Sequence, residues 1–396
     1  MLPSDEPFPA SYLLGPARVA TGDGTLVGAR LQITMGRIAA IYDPEGLTDF
    51  TLPQGTTLAP GLIDLHTNGA EERLFNRDQG AAVSVASRVY AANGASGFVA
   101  TIMTAPWESM LHAAAEVAEA ANELEENGEL AGARCLGIHF EGPFLSPRAR
   151  GIHRPDWLLE VTSERLHAII EATKGALVMV TMAPEVPGVM DAARFFSELG
   201  VICSAGHTTA RYSEGLLAIG CGFRTVTHAF NAMPPLDHRD PSLLLAFIQE
   251  PKTTVQVICD GFHVAPPLID MLYQLLGERL ILATDNMPPA DSGYHLRDGM
   301  MRSEDGTIAG SALTPAQAVR NLMAYARIPF ERAVVSATQA PARLLGLERE
   351  LGHIAVGLRA DFSLWDADYN VIATIVGGAP VFGSSMLRPQ AATSLN

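Results

Sequence analysis

Lysine is nearly missing from this chain. Of 27 basic residues only Lys174 and Lys252 are lysine, and the rest are arginine. Cysteine is scarce too. Cys135, Cys203, Cys221 and Cys259 form no Cys-x-x-Cys pair, and three of them lie inside apolar runs. At this chain length that pattern argues against a disulfide scaffold and reads as reduced core thiols of a cytoplasmic protein. No uninterrupted apolar run approaches the roughly 18 residues of a membrane span, so no membrane partner is expected. The opening stretch MLPSDEPFPA has no cationic segment followed by an apolar core, so no signal peptide is read there. Positive charge is in deficit as well. A formal net charge of −16 argues against nucleic acid or an anionic membrane surface as partner. An anionic small molecule stays open, because a local pocket can oppose the global field.

What is present is a globular chain of 396 residues, 48% hydrophobic and 18% charged, long enough for one large domain and a small companion. Short alternating segments separated by glycine-rich turns occupy residues 11–57, and a similar pattern returns at 352–384. Both read as β structure. A small β-sandwich domain built from residues 1–57 plus 350–396 is therefore expected to flank a centre spanning 58–349. That centre alternates. Strand-like apolar runs fall at 58–67, 97–104, 135–141, 177–183, 200–207, 223–230, 254–261 and 280–285. Helix-like stretches such as ESMLHAAAEVAEAANELEE and PPLIDMLYQLLG lie between them. Eight such units predict an α/β fold, a (β/α)8 TIM-type barrel.

In such a barrel the chemistry sits at the C-terminal ends of the strands. The first strand ends in His66-x-Asn68, the third in His139 and Glu141, and the fifth in His207. The sixth ends in His228 and Asn231, the seventh in Asp260 and His263, and the eighth in Asp285. One histidine at a strand end is commonly structural, and one aspartate can cap the next helix. Glu, His, His and Asp together at one rim are hard to obtain that way. Two imidazoles and a carboxylate form a common catalytic zinc set. Glu141, His207 and His228 are the expected ligands, and Asp285 the expected base for a water that attacks an amide carbonyl. His139 faces the same side as Glu141 and reads as interior support. His238 reads as exposed. His112, His167, His295 and His353 read as surface or structural residues.

The segments APGLIDLHTNG (59–69), GIHFEGPFLSP (137–147), GIH (151–153), SAGHTTA (204–210), THAFNAMPPLDHRDP (227–241), DGFHVAP (260–266), TDNM (284–287) and AGSALT (309–314) carry a resemblance over nearly the whole chain. The sequence resembles the N-acetylglucosamine-6-phosphate deacetylase family of the amidohydrolase superfamily. The resemblance implies hydrolysis of an N-acetylated, phosphorylated amino sugar. It implies metal ligation by Glu141, His207 and His228, with Asp285 as acid and base. Substrate contacts are implied at Ile152, His153, Asn231, Ala232, Arg239 and His263, several near the 6-phosphate. Residues Ile308, Ala309 and Gly310 are implied as a loop over the sugar, and a homodimer is implied because some phosphate contacts come from a neighbouring subunit. A fork-shaped guanidinium at Arg239 suits a phosphate.

Some amidohydrolases bridge two ions with a carboxylated lysine at the end of strand four. Here that strand ends VTMAPE, and both lysines lie elsewhere, which excludes the bridge. His66 is half of a second ligand pair, with Asn68 in place of a second histidine. One divalent ion, zinc or iron, is therefore expected, with a second held weakly at His66 or absent. Asn286, Pro288 and Pro289 depart from the small, alanine-rich run that usually follows the base, which bears on the sugar epimer. Another N-acyl amidohydrolase, which would not need Arg239, and a catalytically inactive barrel are the competing readings.

Overall fold

The computed structural model describes residues 8–126, 131–289 and 293–389. Its centre is an eight-stranded parallel sheet in which sequence order and spatial order coincide: Leu62–Thr67, Ala95–Met103, Arg134–Glu141, Leu177–Met182, Ile202–Ala205, Phe223–Val226, Thr254–Val257 and Leu280–Leu282. Every residue of Leu62–Thr67 and Ala95–Met103 is buried. Such strands have apolar neighbours on both faces, which is why they read as continuous apolar runs. A helix follows each strand, from Gly80–Ala92 to Pro315–Ala326. Thr162 and Thr314 begin two of these helices by accepting the backbone N–H three residues on.

The later strands are shorter than their apolar runs. The fifth stops at Ala205, the sixth at Val226 and the eighth at Leu282. Each stops short of a residue that turns into the left-handed region, namely His207 (φ 47°), His228 (φ 31°) or Asp285 (φ 46°). The ladder ends so that those side chains can turn over the barrel mouth.

First and last strands share no regular ladder. They are stitched instead by individual bonds. Asp285 N–H donates to His66 C=O (2.9 Å), and Asn68 N–H donates to Asn286 C=O (3.0 Å). Thr284 donates to the buried Asp64 carboxylate from both its backbone N–H (3.1 Å) and its hydroxyl (2.5 Å).

Both ends of the chain build one nine-stranded sheet. Phe362–Trp365 pairs antiparallel with Thr57–Pro60, which in turn lies parallel to Ser11–Ala20. The sheet curls until the turn at Gly36 touches the turn at Gly377, and Tyr12 Oη donates to Gly378 C=O at 2.6 Å. Its core includes Leu14, Leu31, Ile33, Leu58, Phe362 and Ile375. The apolar run at 58–67 thus serves two sheets. Gly61 breaks it, and a Cβ there would lie 2.3 Å from Ser96. Arg134 of the third barrel strand pairs with the buried Asp361 at 2.8 Å and ties barrel to sheet.

Candidate active site

Parallel strands deliver their last side chains to one rim, so residues far apart in sequence converge there. Glu141, His207 and His228 are all buried and offer donor atoms within 4.8 Å of one another. His228 Nε2 lies 3.1 Å from both Glu141 Oε1 and His207 Nε2, and His207 Nε2 lies 3.3 Å from Glu141 Oε1. A tetrahedral ion about 2.0–2.1 Å from each ligand spaces its donors roughly 3.3–3.4 Å apart. The triangle matches that spacing. His207 Nδ1 faces Ala149 C=O at 3.1 Å, which makes Nδ1 the protonated nitrogen and leaves the Nε2 lone pair free. The donor set therefore fits a divalent ion.

Burial by itself would raise the Glu141 carboxyl. The His66 ring, with His207 and His228 beside it, overcomes it and holds the group well below the usual carboxylate range. Its other oxygen, Oε2, faces His66 Nε2 and His153 Nε2, each at 3.6 Å. Neither ring nitrogen of His66 has a hydrogen-bond partner among the described residues. Burial would lower His66, but the Asp285 and Glu141 carboxylates push it up to about 9. Burial, then the nearby His207, hold His153 down to about 3, and its Nδ1 lies 2.7 Å from Thr104 Oγ1. His139 sits below the triad, with its ring nitrogens on Thr101 (3.3 Å) and Thr181 (2.7 Å). Burial keeps it far below the ordinary histidine range, as suits interior support.

Asp285 closes the other side. Its Oδ1 lies 3.3 Å from His66 Nε2 and accepts from Asn68 Nδ2 at 2.9 Å. Its C=O accepts from Ser311 N–H (2.8 Å), while Met287 N–H donates to Ser311 C=O (2.9 Å). These bonds clamp Asp285 to the strand Ile308–Ser311, part of a three-stranded sheet that also contains His295–Arg297 and Met300–Arg302.

A cavity of about 320 Å³ opens over these groups. Its walls include Ile152, His153, Asn231, Ala232, His263, Ile308, Ala309 and Gly310, together with Glu141, His207, His228 and Asp285. Arg239 is the exception. Its loop folds into a tight turn in which Asp237 accepts the N–H groups of Arg239 (2.8 Å) and Asp240 (3.0 Å), and the arginine lies exposed outside the cavity. His238 is exposed too, at 73% of its side chain. Lys174 pairs with Glu119 on the surface, away from the rim.

Three contributors, Asp64, Met103 and Met287, were missed in the sequence, and Asp260 was placed at the rim without a partner. Asp64 lies two residues before His66, on the same face of the strand, so period two could have found it. It is buried among Thr284 and the N–H of His66, and burial pushes its carboxyl up to about 6. Asp260 accepts from His263 Nδ1 at 2.6 Å, and His263, whose buried Nε2 has no hydrogen-bond partner among the described residues, lines the cavity. Met103 and Met287 give the cavity an apolar wall beside Ile152.

Fold and site together define a metal-dependent barrel hydrolase. The chain belongs to the amidohydrolase family, whose sequence profile matches residues 57–381. Among curated relatives, the N-acetylglucosamine-6-phosphate deacetylase of Vibrio furnissii is 32% identical over 363 residues, covering 88% of this chain and 90% of that protein. The N-acetylgalactosamine-6-phosphate deacetylase of Escherichia coli O157:H7 is 30% identical, covering 91% and 97%. Among solved structures, a Mycobacterium smegmatis N-acetyl-D-glucosamine-6-phosphate deacetylase variant in complex with N-acetyl-D-glucosamine-6-phosphate superposes with a TM-score of 0.85. It is 31% identical and covers 94% of this chain and all of the other.

Proposed function

We propose that the chain hydrolyses N-acetylglucosamine 6-phosphate to glucosamine 6-phosphate and acetate. The observation that carries this reading is the joining of the Glu141–His207–His228 triangle and Asp285 to one cavity lined by the expected sugar-contact residues. The relatives' names supply the substrate.

In this reading one divalent ion, zinc or iron, would be held by Glu141, His207 and His228. When bound, it supplies a polarised water that ionises near neutral pH. Asp285 takes the proton of the attacking water as the water oxygen adds to the acetyl carbon. The same carboxyl then gives the proton to the sugar nitrogen as the C–N bond breaks. His153 and His263 face the sugar, while Met103, Ile152 and Met287 keep bulk water from the acetyl group. A second ion is weak or absent, because Asn68 turns its N–H toward Asp285 and leaves His66 the lone imidazole of that position. Arg239 does not reach the cavity of its own chain. Its phosphate role belongs to a homodimer in which it serves the neighbouring subunit. No helix among the described residues is long and apolar enough to cross a membrane, and a cytoplasmic location suits the substrate.

The test is acetate release by metal-replete protein from N-acetylglucosamine 6-phosphate beside the unphosphorylated sugar. Strong preference for the phosphorylated sugar is expected, and turnover of neither would remove the substrate assignment. N-acetylgalactosamine 6-phosphate belongs in the same assay. The Escherichia coli relative named for that epimer is nearly as similar.

A further inference from the structure

Asn68 stands where a histidine would offer a lone pair to a second ion. Its geometry does the opposite. The residue is buried, and its backbone is fixed on both sides: N–H to Asn286 C=O at 3.0 Å, and C=O from Phe75 N–H at 3.1 Å. So held, its amide donates to Asp285 Oδ1 at 2.9 Å. A carboxylate only accepts, so the NH2 end must face Asp285 and the amide oxygen must face away. That oxygen is buried without a hydrogen-bond partner among the described residues. His66 Nε2 approaches the same Oδ1 at 3.3 Å. Neither contact involves Oδ2.

We propose that Asn68 is a positioning residue: it pins Oδ1 of Asp285, and Oδ2 is the atom that takes the proton from water and returns it to the leaving nitrogen. The amide restricts rotation of the carboxyl and keeps its two oxygens in separate roles. Holding a catalytic group in one orientation is worth much of a rate enhancement, while substrate affinity is left alone. The inference rests on the reading of Asp285 as acid and base.

Asn68→Leu keeps the side-chain shape and removes the donor. Asn68→Ser, smaller and still polar, serves as the second variant should leucine fold poorly. For each, kcat and KM for acetate release, metal equivalents after dialysis and thermal midpoint are measured. Loss of one hydrogen bond to a charged group predicts a roughly 10- to 100-fold fall in kcat. KM should stay within about threefold, since a group acting on the base alone contributes little to ground-state binding. Metal content should be unchanged. Unaltered kcat would overturn the proposal. So would loss of a metal equivalent, which would make Asn68 a ligand, or a rise in KM at constant kcat, which would make it a substrate contact. Asp285→Asn is run in parallel. If that variant turns over normally, the base assignment falls; if it is inactive while Asn68→Leu is normal, only the present inference falls.

Discussion

Substituting Gly310 by alanine tests how tightly Asp285 is placed. Gly310 has φ +83°, and a Cβ added there would lie 2.5 Å from the Asp285 carbonyl oxygen and 3.3 Å from Asp285 Oδ1. Ordinary contact begins near 3.4 Å, so the backbone of Asp285 or of the loop must move by close to 1 Å. Left-handed backbone costs a non-glycine residue about 1–2 kcal/mol, a minor fraction of a domain's stability. The larger effect should fall on rate, where a misplacement of about 1 Å costs on the order of 100-fold. Gly310→Ala should therefore fold, keep its metal and lose about two orders of magnitude in kcat. The assay is acetate release with matched metal analysis and a thermal melt. Turnover near the parent's at full metal occupancy would refute the claim that the Ile308–Ser311 strand sets the position of Asp285.

Other outcomes follow from the same geometry. His228→Ala removes the ring nitrogen closest to both other donors and should leave less than one metal equivalent after dialysis; full retention would break the proposed ligand set. Asp285→Asn should keep metal and fold while losing roughly 10²–10⁴-fold in kcat, the scale of general acid–base catalysis; near-normal turnover would exclude it as the base. His153 is held neutral by burial, at about 3 against an unfolded value near 6.5. Its contribution is full above the unfolded value and is lost as pH falls through the window from 6.5 to 3, up to ~5 kcal/mol over the whole range. Metal-stripped protein should accordingly lose denaturant resistance between pH 7 and 4.5, and His153→Gln should lose less; equal slopes would refute this. Arg239→Ala should raise KM for the phosphorylated sugar only if the partner's cavity receives it, and an unchanged KM would assign phosphate binding to other groups.

The barrel was legible because buried parallel strands leave continuous apolar runs, and all eight runs correspond to strands. The rim was legible for a related reason: Glu141, His207, His228 and Asp285 each interrupt such a run with a group that has no place in a core. Direction was harder to read. The letters His-x-Asn show a missing ligand, but only the fold shows Asn68 donating to Asp285. Arg239 has the right chemistry for phosphate, yet the Asp237 turn that carries it into solvent depends on backbone geometry. The short strands from His295 to Ser311 have no periodic signal long enough to distinguish them from a loop.

The seam between the first and last barrel strands explains why Asp285 can be both strained and well placed. A regular ladder there would fix Asp285 in extended backbone with its side chain along the wall. Separate bonds instead hold it from three directions: His66 C=O receives its N–H, Ser311 N–H reaches its C=O, and Asn68 holds its carboxylate. Those anchors come from segments more than two hundred residues apart in the chain, so none can relax without the others. A left-handed aspartate, costly alone, becomes the geometry that these bonds jointly impose. His207 and His228 share that backbone strain at the same rim, so the cost is concentrated where side-chain direction matters most.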